Sequence, residues 1–360
     1  MFKKMRKVMS YLGIFLFGGI VLVIVLGLIF FPRPELPAEV SNEICEQNHI
    51  RFDTSSINKI FHEPEKILAA PEEFLSQDIA YQVLSESRER GAEEFRYSAW
   101  LKGIEKLASQ TEKKREQQVP YKLYQLIMDH QGAFCQEVGR YVLSYLPAGA
   151  EIETTVYLTA MDNPVPAFAN GENVVFSLSH PLFKYSTMIH ETTGLSTFFN
   201  LALQELHHLG FAEIYPWPTE EELIQNEIVI DMLTSLHRES IGTYIEYELL
   251  EEYPSPFEYF LYLVDKEPIV RRYIKSMNEL FAIAQTKPEP FDPAYNDTYR
   301  QIGKLCYRRK GFYIVGGYMA MRIDDELGKE ALVKTIEDGY LSFVDSYNSI
   351  AVDEMKIYYK

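Results

Sequence analysis

The side chains best suited to chemistry lie in Gln204-Glu205-Leu206-His207-His208, near the end of an apolar-periodic segment that begins at about Thr193. In a helix, Gln204 and His208 stand four residues apart on one face, with Glu205 one step around from them. His208 then offers an imidazole to a metal, Glu205 a carboxylate base and Gln204 an amide oxygen. His207 is turned about 100° from His208, towards a partner outside the ligand set or towards solvent. A second carboxylate, Glu239 in Arg238-Glu239-Ser240-Ile241-Gly242-Thr243-Tyr244, follows 31 positions after His208 on another predicted helix. A catalytic zinc ion takes three protein ligands and a water, and a glutamate within reach of that water completes a hydrolytic site. The departure is Gln204, because the pattern H-E-x-x-H has His at that position. A Gln oxygen is uncharged and harder than imidazole, so Zn2+ affinity should fall and preference should drift towards oxygen-loving ions.

These residues need two helices and a frame to hold them. At Thr154-Thr155-Val156-Tyr157-Leu158-Thr159 the period is two and β-branched residues dominate, which predicts a strand; Asn173-Val174-Val175-Phe176-Ser177-Leu178 predicts a second. Turn signals at Asp162-Asn163-Pro164 and Ala169-Asn170-Gly171 separate them. A small sheet therefore lies just upstream of the Gln204 helix. Before it, residues 63–150 read as an N-terminal helical layer without chemistry of its own, with helices starting at Pro71 and over 93–108, 121–130 and 134–145. After Pro218 the chain reads as helices over 220–236, 239–251, 268–285, 297–307, 312–326 and 329–338. The expected fold is mainly α with a small β-sheet, an α+β arrangement.

Other candidates carry less. A Glu-x-x-His pair on an amphipathic helix also arises by chance, and Glu239 could merely cap or pair a helix start, although Ile241 and Gly242 beside it suggest an inward-facing position. His190-Glu191-Thr192-Thr193-Gly194 opens like the metal pattern but has Gly194 where the second His should stand, and reads as a helix start, with His190 a remote substitute ligand. Cys135 sits in an apolar setting that suits an inert buried thiol. Glu220-Glu221-Glu222 is a charged helix start favoured by the macrodipole.

Taken in order, these stretches resemble a gluzincin-type metallopeptidase, in which the third ligand is a Glu on a helix downstream of H-E-x-x-H. More narrowly, the chain is similar to a group of uncharacterised bacterial zinc-dependent peptidases. The likeness covers residues 151–348. It rests on the strand pair, Gln204-Glu205-Leu206-His207-His208, Glu239-Ser240-Ile241-Gly242, and Phe312-Tyr313-Ile314-Val315-Gly316-Gly317-Tyr318-Met319-Ala320 running into Asp324-Asp325-Glu326-Leu327-Gly328. The resemblance implies a zincin-like domain over 151–360, His208 and Glu239 as metal ligands with Gln204 in the first ligand's place, Glu205 as base, Tyr313 or Tyr318 as oxyanion donor, and Zn2+ as cofactor. Either tyrosine is one of 25, and core packing is the simpler role for both. The implied activity is hydrolysis of peptide bonds; the rival expectation, prompted by Gln204, is a catalytically degenerate relative that serves as an anchored binding or scaffold module.

The beginning of the chain bears on where this would happen. Residues 1–10 form a basic tail with Lys3, Lys4, Arg6 and Lys7, and residues 11–31 follow as 21 positions without a charge. A helix of that length spans about 30 Å, the hydrocarbon thickness of a bilayer. The run is bulky and ends in Phe30-Phe31-Pro32 rather than in a small-residue cleavage site, so an uncleaved signal anchor is expected. The positive-inside rule puts the tail in the cytoplasm and the rest of the chain outside, near cell-surface peptide or protein substrates. Residues 32–62 are expected as a linker, opening with the extended Pro32-Arg33-Pro34-Glu35-Leu36-Pro37. With 35 Lys and Arg against 52 Asp and Glu, the net charge of −17 argues against nucleic acid as a partner. Three widely spaced cysteines match no metal or redox spacing; an extracytoplasmic location permits one disulfide, but an odd count in a Cys-poor chain points to mostly unpaired thiols.

Overall fold

Four strands make a small mixed sheet, against which the helices Glu43–Gln47, Ser55–His62, Ile79–Glu89 and Glu191–Ile214 pack, while the other helices pack mainly on one another. The computed structural model describes residues 43–89, 97–161, 165–170, 173–255, 258–286 and 293–359. The anchor expected over 11–31 lies outside the described residues, and no helix among them is long and apolar enough to cross a membrane. The strands are β1 (Ile50–Asp53), β2 (Thr154–Thr159), β3 (Ala167–Asn170) and β4 (Asn173–Ser177), in the order β1-β2-β4-β3. β1 and β4 flank β2 in parallel, and β3 runs antiparallel along β4 as the edge strand. Thus β2 and β4 match the two expected strands. β1 and β3 are additions, and β1 folds within the span expected as linker. Both are four residues long, too short for period-two alternation to stand out.

The pleat explains how the sheet is covered. Val156, Leu158, Val174 and Phe176 point into the main core, whereas Tyr157 and Val175 point to the other face and pack with Ala80 and Val83 of the helix Ile79–Glu89. Both faces are buried, as is usual for parallel pairing, so β2 and β4 can be apolar on successive residues.

The functional side chains come from three long helices: α1 (Glu191–Ile214), α2 (Glu220–Leu249) and, after α3 (Glu267–Ala284) and α4 (Pro293–Ile302), α5 (Gly311–Leu327). α1 is the central helix. Phe198, Phe199, Leu201, Ala202 and Leu203 lie all around it and are all buried, which requires neighbours on every side. α2 joins the two helices expected over 220–236 and 239–251. It begins with a capping box between Thr219 and Glu222 and breaks its helical backbone only at Asn226. Glu239 therefore sits in mid-helix rather than at a start. α5 lies unusually close to α2, because a Cβ on Gly316 would stand 2.9 Å from the Ser240 Cβ and 3.0 Å from the Leu236 carbonyl oxygen. Any side chain at Gly316 would force the two helices apart.

Cys45 and Cys135 form a disulfide, which corrects the expectation of mostly unpaired thiols. Only Cys306 is free among the three, and burial pushes its thiol up to about 12, leaving it inert at neutral pH.

Candidate functional site

α1 and α2 meet where the sequence puts its chemistry. Gln204, Glu205 and His208 on α1 and Glu239 on α2 line one cleft of about 1580 Å³, together with Tyr313 of α5. The helical spacing of four does place Gln204 and His208 side by side. A Cβ on Gly242 would be 3.1 Å from both the Gln204 Cγ and the His208 Nε2, so only glycine lets both side chains lie against the α2 backbone.

His208 holds the middle of the arrangement. Its Nε2 lies 3.7 Å from Glu239 Oε2, and its Nδ1 lies 3.9 Å from Glu205 Oε2. The two carboxylates thus flank opposite ring nitrogens, which separates the expected ligand Glu239 from the expected base Glu205. Nε2 is buried and has no hydrogen-bond partner. Two donors on one tetrahedral zinc are about 3.3 Å apart, given metal–donor distances of about 2.0–2.1 Å, so an ion shared by Nε2 and Glu239 needs a shift of only a few tenths of an ångström. Protonation suits the same role. Burial lowers the His208 imidazole despite the pull of Glu239 and so favours its neutral form; burial alone would raise the Glu239 carboxyl, but His208 when protonated, and Arg238 throughout, hold it below its usual range. Arg238 donates to Glu239 Oε1 at 3.0 Å, which orients the carboxylate and leaves Oε2 turned towards His208.

Glu205 differs. Burial first and the Glu239 carboxylate second push its carboxyl up to about 7, so it takes and returns a proton near neutrality. Tyr313 lines the same cleft, and burial, reinforced by Glu239 and Glu205, raises its phenol far enough to keep it a proton donor. The Lys310 ammonium lies 3.9 Å from the Tyr313 ring centroid and 4.9 Å from that of Phe260. Lys310 itself is one of two non-glycine residues with positive φ among the described residues (59°), and it stands at the start of α5.

Three candidate residues fall elsewhere. Tyr318 is buried against Tyr347 and borders a separate concavity with Glu267 and Arg322. Five residues of helix turn it about 140° from Tyr313, so α5 cannot present both to one cleft. His207 points away from the cleft, as expected, and of the two expected directions takes the partner rather than solvent: it is fully buried beside Phe211, with Nε2 3.3 Å from the Tyr145 carbonyl oxygen. His190 caps the start of α1, where its Nδ1 accepts from the Thr192 amide, roughly 27 Å along the helix from His208 at 1.5 Å per residue. It cannot replace a ligand.

Other participants escape the sequence reading. Glu246, seven residues after Glu239 and so on the same face of α2, is fully buried with neither carboxylate oxygen hydrogen-bonded. Burial and then the neighbouring Glu258 push its carboxyl well above the usual range, against the pull of Lys310, so it holds its proton. That spacing of seven was the available signal. The raised value means that folding favours the protonated form, and the resulting penalty is absent below pH 4.5 and grows as pH rises above it. Glu246→Gln is therefore expected to raise the thermal midpoint at pH 8.5 and leave it unchanged at pH 4, as followed by calorimetry. Equal shifts at both pH values would count against a protonated Glu246.

Among the described residues the trio of His, Cys, Asp or Glu whose ligand atoms all lie within 4.8 Å of one another is His62, Glu112 and Glu116, and Glu205, His208 and Glu239 are spread wider than that. It is a surface cluster. Both His62 nitrogens are engaged, Nδ1 with Glu112 Oε1 at 3.0 Å and Nε2 with the Tyr121 hydroxyl at 3.2 Å.

Residues 54–354 match the model of a family described as "Putative zinc dependent peptidase (DUF5700)". The chain belongs to this family. The match embraces β2, β3, β4 and all three site helices, and begins just after β1. No curated protein and no solved structure matches the chain. Membership agrees with the expected zinc dependence and with the imidazole–carboxylate pair of His208 and Glu239 at the cleft.

Proposed function

We propose that this protein is a membrane-anchored, extracytoplasmic zinc peptidase of gluzincin type. The observation that carries the reading is the buried, unpartnered His208 Nε2 facing Glu239 Oε2 at 3.7 Å, with Glu205 on the opposite nitrogen. His208, Glu239 and the Gln204 amide oxygen would hold the ion. When bound, zinc supplies a Lewis acid that polarises a carbonyl and lowers the pKa of a water. Glu205 accepts a proton from the attacking water at its carboxylate and returns it to the leaving amine. Tyr313 donates a hydrogen bond to the developing oxyanion, and Arg238 keeps Glu239 oriented. The edge strand β3 contributes Ala167, Phe168 and Ala169 to the cleft, where an extended peptide can lie along it. The anchor at 11–31 and its basic tail support the outward orientation, and the Cys45–Cys135 disulfide suits an oxidising compartment.

Purified protein loaded with zinc should cleave members of a mixed peptide library and stop when a chelator is added. Absence of metal uptake and of cleavage with every divalent ion tried would overturn the proposal.

Gln204 favours a second reading, a binding or scaffold module that keeps the cleft without turnover. Gln204→His restores a second imidazole and is expected to tighten zinc binding by about 10–100-fold, measured by competition with a chromogenic chelator. If the native protein binds no metal while Gln204→His does, the scaffold reading stands; if the native protein binds and cleaves, it fails.

A further inference from the structure

Part of the lining of the cleft has the wrong charge for this molecule. The protein carries −17 overall, yet Arg300, Lys304, Arg308 and Arg309 all border the cleft and are all exposed. Their spacing is regular. Arg300, Lys304 and Arg308 follow at intervals of four along α4 and the π-helical turn Gly303–Arg308, which stacks three like charges on one side of the element. Such pairs destabilise a helix rather than support it, and π-turns concentrate at functional sites. Asp297 pairs with Arg300, but no ion pair engages Lys304, Arg308 or Arg309 among the described residues. Asp231 lies near Tyr307 and Arg238 and does not border the cleft. The floor of the cleft adds only Glu205 and Glu239, and Glu239 is already paired with Arg238.

We infer that the cleft selects peptides carrying carboxylates, with Lys304, Arg308 and Arg309 as the recognising side chains. This rests on the reading of the cleft as a peptide site. β3 takes the backbone of the peptide and the cationic lining takes its acidic groups. The carboxylate comes either from Asp or Glu side chains or from the free C-terminus, and the same guanidinium and ammonium groups would bind both.

Three fluorescent peptides of one sequence separate these sources: Glu at the variable positions with an amidated C-terminus, Gln with a free C-terminal carboxylate, and Gln with an amidated C-terminus. Binding to the full chain is read by anisotropy, with and without zinc, and cleavage is read in parallel. At least one carboxylate-bearing peptide is expected to bind about tenfold more tightly than the uncharged control, since several weak exposed pairs act together, and to lose most of that preference at high salt. The variant Lys304→Gln/Arg308→Gln/Arg309→Gln should reduce the preference over the uncharged control to about twofold or less; these side chains are exposed, so the fold is preserved. Equal binding of all three peptides, no binding of either acidic peptide, or a preference that survives in the triple variant would each overturn the inference. Acid-selective binding without cleavage of any peptide leaves the inference standing and defeats the peptidase reading alone.

Discussion

Glu205→Gln is expected to lower peptide hydrolysis by about 10²–10⁴-fold, the usual contribution of a positioned general base, while zinc still binds. The substitution keeps the size and removes only the ability to take a proton. Glu205 faces the Nδ1 of His208, not the Nε2 that looks towards Glu239, so its loss leaves the proposed ligand atoms where they are. A carboxyl pushed up to about 7 by burial and by Glu239 is matched to the task of accepting a proton from water and returning it. Turnover of a cleaved library peptide and zinc stoichiometry, measured on the same preparation, make the check. A variant that turns over like the native enzyme, or one that no longer holds zinc, would remove Glu205 from the role of base.

Loss of the Cys45–Cys135 bridge is expected to cost about 2–5 kcal/mol of stability. The two cysteines are 90 positions apart, so the bridge closes a long loop of the unfolded chain and removes much of its freedom. It also ties the short helix Glu43–Gln47, which leads into β1, to the helix Gln131–Glu137 beneath α1. Both sulfurs are buried, so replacement by Ser adds the cost of poorly satisfied hydroxyls. Denaturant titration of the native protein with and without reductant, alongside the Cys45→Ser/Cys135→Ser variant, measures the loss. An unchanged midpoint while thiol titration finds all three cysteines free would refute the expectation.

Several of the helices were legible from the chain because their signals are local, whereas Glu43–Gln47 and Ser55–His62, inside the span expected as linker, and Pro181–Ile189 and Tyr340–Ile350 were not foreseen. Lys329–Asp338 matches its expected bounds, and Gly311–Leu327 and Glu267–Ala284 match within one residue at each end. Apolar spacing, proline at helix starts and the Thr219 capping box all act within a turn or two. The two longer strands were readable for the same reason. β1 was not, because it gains its place from pairing with β2 about a hundred residues later, and four residues carry too little alternation to announce that.

The site divides along the same line. The sequence alone determined that Gln204 and His208 share a face, that Glu205 stands beside them, and that a downstream helix offers Glu239, since helix geometry makes neighbours of residues four apart. Which nitrogen of His208 meets which carboxylate depends on how α1 crosses α2 at Gly242, and only the tertiary structure decided it. The choice of Tyr313 over Tyr318 depends on the face of α5 that packs against α2. The cationic lining is equally tertiary: Arg300, Lys304 and Arg308 look like ordinary surface charges until the fold brings them to the same cleft as β3 and Glu205. Periodicity tells which residues share a face, but the identity of what that face meets is fixed by packing between segments far apart in the chain.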